Sequence, residues 1–216
     1  EINRYRDTII KGGFLTMGSK RIGLARTEAL IEALKRDLNL QSTTLTAAKH
    51  AGMAVTDGMG AGLTGTGTAP SQSILTIEDQ IITTIKIDMT GLNKSNDVGD
   101  VIAKSASGAG YLMIYNPSTH GVFHKIEISC VELPTGTNVL LDFDIISCDE
   151  VDLAYDGDAA GATNPVSITA MGGDIALGQT YQDLTVGQPN ATGDALYLCE
   201  GATSTNQQLF TAGMLI

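Results

Sequence analysis

The sequence predicts a mainly β protein: an antiparallel β-sandwich or jelly-roll-like body, preceded by an N-terminal extended arm and one amphipathic helix. Three observations lead there. Side chains are small and turn formers frequent, with 25 glycines, no tryptophan and 5% aromatic residues among 216, a profile that suits short strands and many loops. From Ile81 onward apolar residues recur with a period of two, without the intervening helices that a parallel α/β sheet needs. Only residues 20–38 keep the three-and-four spacing of a helix.

In that helix Leu24, Ile31, Leu34 and Leu38, with Thr27 between them, fall on one face. Glu28, Glu32, Lys35 and Arg36 lie off the stripe, and Glu32 precedes Arg36 by four residues in the favourable order. The result is an amphipathic helix of about five turns. Two heptads are too few to define a coiled coil, so the face either lies on the β-body or pairs with helices of other subunits.

Residues 51–72 are rich in Gly, Ala and Thr and nearly uncharged. Side chains this small bury little surface against an ordering cost of roughly 1–2 kcal/mol per residue, so the stretch reads as a linker or extended arm. The expected organisation is therefore a basic arm and helix over residues 1–50, a linker or arm over 51–80, and an acidic β-body over 81–216. Gly58, Gly60 and Gly62 superficially suggest a phosphate loop, but no Gly-Lys-Ser or Gly-Lys-Thr follows and no strong strand precedes.

Within the body, Ile85, Ile87 and Met89 alternate with Lys86 and Asp88, the pattern of a half-buried strand. Apolar runs follow at 110–115, 122–131 and 138–146. In the last, Val139, Leu141, Phe143 and Ile145 alternate with Asp142 and Asp144, which places those carboxylates on a wet face. Leu133-Pro-Thr-Gly-Thr137 reads as a hairpin loop that makes the runs on either side adjacent antiparallel strands. Further strands are expected at 151–155, 166–169, 195–199, and at Leu209 with 214–216, the last still in progress at the final residue.

Charge is divided unevenly. Residues 1–50 hold nine Lys and Arg, including every arginine, against five acids; the rest holds four lysines against nineteen acids. A basic segment joined to an acidic body is a docking device, for nucleic acid, a protein partner or a neighbouring copy. The acidic body repels phosphate and no base-reading module is recognisable, which disfavours direct nucleic-acid binding through Arg4, Arg6, Lys11, Lys20, Arg21 and Arg26. No apolar run approaches the roughly 20 residues of a membrane-spanning helix, and the charged start lacks the apolar stretch of a secretory signal.

Chemistry has few candidates. Asp142, Asp144, Asp149, Glu150, Asp152, Asp156 and Asp158 form an oxygen-rich stretch, but counting from Asp152 puts Ala154 and Thr163 where a calcium loop needs carboxylates. His120 and His124 lack a third ligand, and His120 sits in a turn-like Ser-Thr-His-Gly. Paired carboxylates for glycoside hydrolysis would want aromatic sugar platforms, which a chain without tryptophan supplies poorly. Cys130, Cys148 and Cys199 are odd in number, follow no Cys-x-x-Cys spacing and read as small buried hydrophobes. The expectation is a non-enzyme without cofactor or metal.

The segment Met17-Gly-Ser-Lys-Arg-Ile-Gly-Leu-Ala-Arg-Thr-Glu-Ala-Leu-Ile-Glu-Ala-Leu-Lys-Arg-Asp-Leu-Asn-Leu40 resembles the opening of virion structural proteins of marine tailed phages. Later fragments agree, among them Thr84-Ile-Lys-Ile-Asp-Met-Thr-Gly-Leu92, Ser129-Cys-Val-Glu-Leu-Pro-Thr-Gly136 and Tyr197-Leu-Cys-Glu-Gly-Ala202. The resemblance implies a particle component of the capsid decoration or cement type, located on the capsid surface, with the capsid shell or identical subunits, a trimer favoured, as partners. Arg21, Leu24, Arg26, Ile31, Leu34, Arg36 and Leu38 are then the expected interaction residues, apolar anchors ringed by steering charges. The alternative is a trimeric fibre or spike head that binds a host-surface glycan.

Overall fold

The computed structural model describes residues 54–55, 58–136 and 141–216, so the expected arm and helix, with Arg21, Leu24, Arg26, Ile31, Leu34, Arg36 and Leu38, lie outside the described residues. The described chain is mainly β, arranged as two antiparallel sheets in a sandwich-like body. In chain order the strands are β1 (Ala54–Val55), β2 (Ser71–Ile77), β3 (Gln80–Asp88), β4 (Asn93–Lys94), β5 (Tyr111–Ile114), β6 (Ile126–Gly136), β7 (Phe143–Cys148), β8 (Val166–Ala170), β9 (Thr180–Asp183), β10 (Ala195–Glu200) and β11 (Gln208–Leu215). One helical turn, α1 (Pro117–His120), is capped by Asn116, whose side chain accepts from Ser118 N. No helix among the described residues is long and apolar enough to cross a membrane.

The larger sheet runs β1-β2-β3-β11-β6-β9, with β4 also on β11, and the smaller runs β5-β10-β7-β8. β3 and β4 lie end to end along β11: Ile87 and Asp88 pair with Leu215 and Met214, and Asn93 and Lys94 with Leu209 and Gln208. Between them the chain bends at Gly91, whose φ of 78° suits a residue without Cβ. Thr169 Oγ1 donates to Asp183 Oδ2 and Tyr181 OH to Ala170 O, both at 2.7 Å, which ties the β9 edge of one sheet to the β8 edge of the other.

Two apolar clusters follow from the alternation along β10. Leu196 and Leu198 point into the core between the sheets with Leu63, Met89, Leu92, Ile102, Phe143, Ile168 and Phe210. Ala195, Tyr197 and Cys199 point the other way, into a second cluster with Val101, Ala103, Ile146, Cys148 and Ala159. The smaller sheet is thus covered on both faces, and all six residues of β10 are buried. The expectation of a wet face for Asp142 and Asp144 is corrected: Asp142 is buried and Asp144 half-buried, with Gly201 N donating to Asp142 O and Met171 N to Asp144 Oδ1.

Several expectations hold: strands stand at 111–114, 166–170, 195–200 and 208–215, and Ile87 and Met89 are buried as their alternation requires. The hairpin at 133–137 does not. β6 runs on through Pro134 to Gly136 and pairs with β11 and β9, while β7 belongs to the other sheet. Two β6 residues, Leu133 and Pro134, oppose the single Gly213 of β11 between the pairs Ala212 with Thr135 and Met214 with Glu132. This is a β-bulge, the one setting where an interior strand tolerates a proline that cannot donate to the ladder. Residues 151–155 form turn and irregular backbone instead of a strand. Within the segment expected as linker or arm, β2 pairs along its whole length with β3, and Leu63 is fully buried.

The three cysteines are free and buried. Burial raises the thiols of Cys130, Cys148 and Cys199, that of Cys148 to about 11. An aromatic disulfide reagent at pH 8 should therefore leave the native chain unlabelled and label three thiols after denaturation. Fast labelling of Cys148 or Cys199 in the native protein would contradict their place in the second cluster.

Candidate functional site

The sequence points to the acidic stretch around Asp142 to Asp158, and the fold distributes its members among different tasks. Asp149 Oδ2 accepts from Asn164 Nδ2 at 2.7 Å, and Glu150 accepts from Thr163 N and Thr163 Oγ1 at 2.7 and 2.6 Å, pinning the loop that covers the second cluster. Asp158 Oδ1 accepts from Gly161 N, and its backbone bridges to Asp100. Asp152 and Asp156 stay exposed. Among the described residues no group of three or more His, Cys, Asp or Glu side chains is placed to hold a metal ion.

The glycine-rich segment is likewise occupied. Gly60 N donates to Tyr111 O and Gly62 N to Ala109 O, at 2.8 and 2.7 Å, so these amides cover the β5 edge instead of facing an anion. A Cβ at either glycine would collide with the backbone carbonyl of Ala109 or Gly108, which explains glycine here without a phosphate. His120 accepts from Asn116 N through Nδ1 and stacks on Tyr115, a structural role within α1. Burial lowers its pKa.

The densest electrostatic feature is one that sequence reasoning missed. Lys94 of β4 and Glu200 of β10 are both fully buried, with Lys94 Nζ 3.3 Å from Glu200 Oε1 and 5.5 Å from the centroid of the Phe143 ring. The contact is a buried ion pair, and beside it Asp142 Oδ1 is buried without a donor among the described residues. Burial is the largest influence on both partners: it lowers the Lys94 pKa against the pull of Glu200, and raises that of Glu200 to about 7 against the pull of Lys94. Asp142 and Asp174 also act on Lys94, and Asp100 and Asp97 on Glu200. Burial raises Asp100 and Asp144 as well.

Burying Lys94 leaves Lys86, Lys104 and Lys125 as the exposed lysines among the described residues. Against them stand the exposed carboxylates Asp97, Asp149, Asp152, Asp156 and Asp158 on the loops over the smaller sheet, with Glu78, Asp79, Glu127, Glu132 and Asp174 elsewhere. The surface formed by the described residues is therefore predominantly anionic. Comparison with protein-family models, with curated proteins and with solved structures gives no match.

Proposed function

We propose that this chain is a non-enzymatic structural protein of a virus particle, of the capsid decoration or cement type. In this reading it binds capsid or identical neighbours through residues 1–50. The observation that carries the reading is the charge division, sharpened by the fold: the described body turns only three lysines outward among many carboxylates, while every arginine lies within the first 36 residues. Opposite charges on two parts of one chain favour association between copies or with another acidic shell, and steer its register. The apolar stripe Leu24, Ile31, Leu34 and Leu38 supplies the anchors that charge alone does not.

The test is attachment. Reversing Arg21, Arg26 and Arg36 to Glu in the full chain should weaken co-sedimentation with its particle about tenfold or more at low salt, an effect that fades toward 1 M salt as screening removes the wild-type advantage. Imaging of the same particle should then show copies that follow the symmetry of a shell. A charge-reversed chain that attaches as well as the wild type, or copies confined to a tail tip, sinks the decoration reading; a stable free trimer that binds glycan would favour the fibre-head alternative.

A further inference from the structure

Strand β11 spans only part of the length of its two neighbours. It meets β3 through Met214 with Asp88 and Leu215 with Ile87, and its last contact with β6 is the reciprocal pair of backbone bonds between Ile216 and Ser129. Past that level β3 extends back to Gln80 and β6 back to Ile126, each paired on its far side, with β2 and with β9. No strand lies between them there among the described residues. The interval is one strand wide, two spacings of about 4.8 Å. It follows β3 from Ile85 to Ile81, roughly 17 Å at the usual rise per residue. Gly121 marks its far end, where an added Cβ would stand 3.3 Å from Ile81 Cδ1.

The backbone on both walls is turned toward this interval. Met89 N donates to Gly213 O, so by alternation Ile87, Ile85, Thr83 and Ile81 aim their N–H and C=O groups at this side of β3, and the residues between them bond to β2. On β6 the Ser129–Ile216 bonds set the same sense for Glu127, while Cys130 N donates the other way, to Gln179 O. Those groups of Ile85, Thr83, Ile81 and Glu127 have no backbone partner among the described residues. Inward the interval is flanked by Ile85 and Ile128, then by Thr83 and Ile126, of which only Ile128 is fully buried. Outward stand Thr84, the 45% exposed Ile82, and Glu127, whose carboxylate is already paired with Lys125 Nζ at 3.1 Å. An unpaired, proline-free edge of Ile and Thr is a template for a strand, and two such edges facing each other satisfy both sides of one.

We propose that this slot receives residues 43–47 of a second copy as an added strand, in line with β11 and antiparallel to β3 and β6. The inference rests on the reading above, that residues 1–50 engage neighbours, and names where they land. Thr43-Thr-Leu-Thr-Ala47 lacks charge, glycine and proline, and it alternates in the required sense: Thr43, Leu45 and Ala47 fall on one side, to meet the inward isoleucines, and Thr44 and Thr46 on the other. Residues 20–38 carry their apolar side chains at helical spacing, which a strand would scatter over both faces. Charge agrees as well. Lys86 and Lys125, two of the three exposed lysines, border the slot, so an uncharged segment suits it better than the basic residues further upstream. Those arginines are left to the acidic surface of the same neighbour.

Hydrogen exchange of the full chain at rising concentration tests it. From micromolar to millimolar protein the protection of the Thr83, Ile85 and Glu127 amides should rise about tenfold or more, while Thr84 and Lys86, already bonded to β2, change little. Thr83→Pro should abolish the rise and leave β2 paired, because the lost N–H faces the slot and not β2. Leu45→Pro, outside the described body, should abolish it too, since a strand held on both sides tolerates no proline; this variant decides the matter should Thr83→Pro fold poorly. Wild-type protection that stays constant with concentration overturns the proposal, whether low throughout, from an empty slot, or high throughout, from an occupant in the same chain. A rise that survives Leu45→Pro overturns residues 43–47 as the donor. None of these results touches the docking reading, which falls separately if reversing Arg21, Arg26 and Arg36 leaves attachment unchanged.

Discussion

Replacing Lys94 with methionine should destabilise the body by about 3–5 kcal/mol at pH 8, the range for removing one partner of a buried ion pair. The side chain is fully buried and stands against Glu200 and the Phe143 ring, so solvent cannot take over its role. Methionine keeps most of the volume, which separates the loss of charge from the loss of packing. The loss should shrink at pH 5. Without Lys94 the Glu200 pKa rises further, because the ammonium was the group opposing burial, and at low pH Glu200 is already neutral in wild type and variant alike. At pH 8 the variant must either bury a bare carboxylate or take up a proton against the solution. Urea unfolding at both pH values measures the difference, and adding Glu200→Leu should restore much of the lost stability by leaving no charge to compensate. Equal destabilisation at pH 5 and 8, or a double variant as unstable as the single, would show that the lysine acts through packing alone.

This pair also marks the limit of what the sequence discloses. Asn93-Lys-Ser-Asn96 has the composition of an exposed turn, and nothing local says that β4 lies inside the sheet stack. Burial of Lys94 is decided by β10 and β11, more than a hundred residues further on, whereas periodicity reports only on near neighbours. Glu200 was hidden for the opposite reason: it closes an apolar run, Ala-Leu-Tyr-Leu-Cys-Glu, and so reads as the polar end of a strand. The strands themselves were legible where period and β-branching agree, as in β8, or where a short apolar run stands between turn residues, as in β10. β2 was harder to see, because Ser-Ile-Leu-Thr-Ile follows a glycine-rich stretch whose composition dominates the window. As for the interaction residues, Leu24 to Leu38 are legible as a face, and a face does not name what covers it.

Proline and glycine at 134 and 136 misdirected the topology, and the cause yields the second large prediction. Turn residues and bulge residues are the same residues: both supply a missing donor or an unusual backbone. At the bulge the backbones of β6 and β11 approach so closely that a Cβ on Gly213 would lie 2.5 Å from Pro134 Cα and 2.9 Å from Pro134 N, with φ at 134°, a conformation L-residues rarely adopt. Gly213→Val should therefore cost about 2–6 kcal/mol, from strain of roughly 1–3 and overpacking of roughly 1–3. The contact is with backbone, so no side-chain rotation relieves it. Gly172→Ala is the matched control: φ is 67° and nothing lies within 4 Å of the added carbon, leaving only conformational strain of about 1–2 kcal/mol. The two midpoints, measured together, separate crowding from dihedral strain. The valine variant should also lose exchange protection at Met89 N, which donates to Gly213 O, because relief of the clash with Pro134 must shift the Gly213 backbone that accepts this bond. A Gly213→Val chain no less stable than Gly172→Ala would mean that β6 and β11 do not close on each other at this bulge, and the hairpin read from Pro134 and Gly136 would become the better account of residues 133–137.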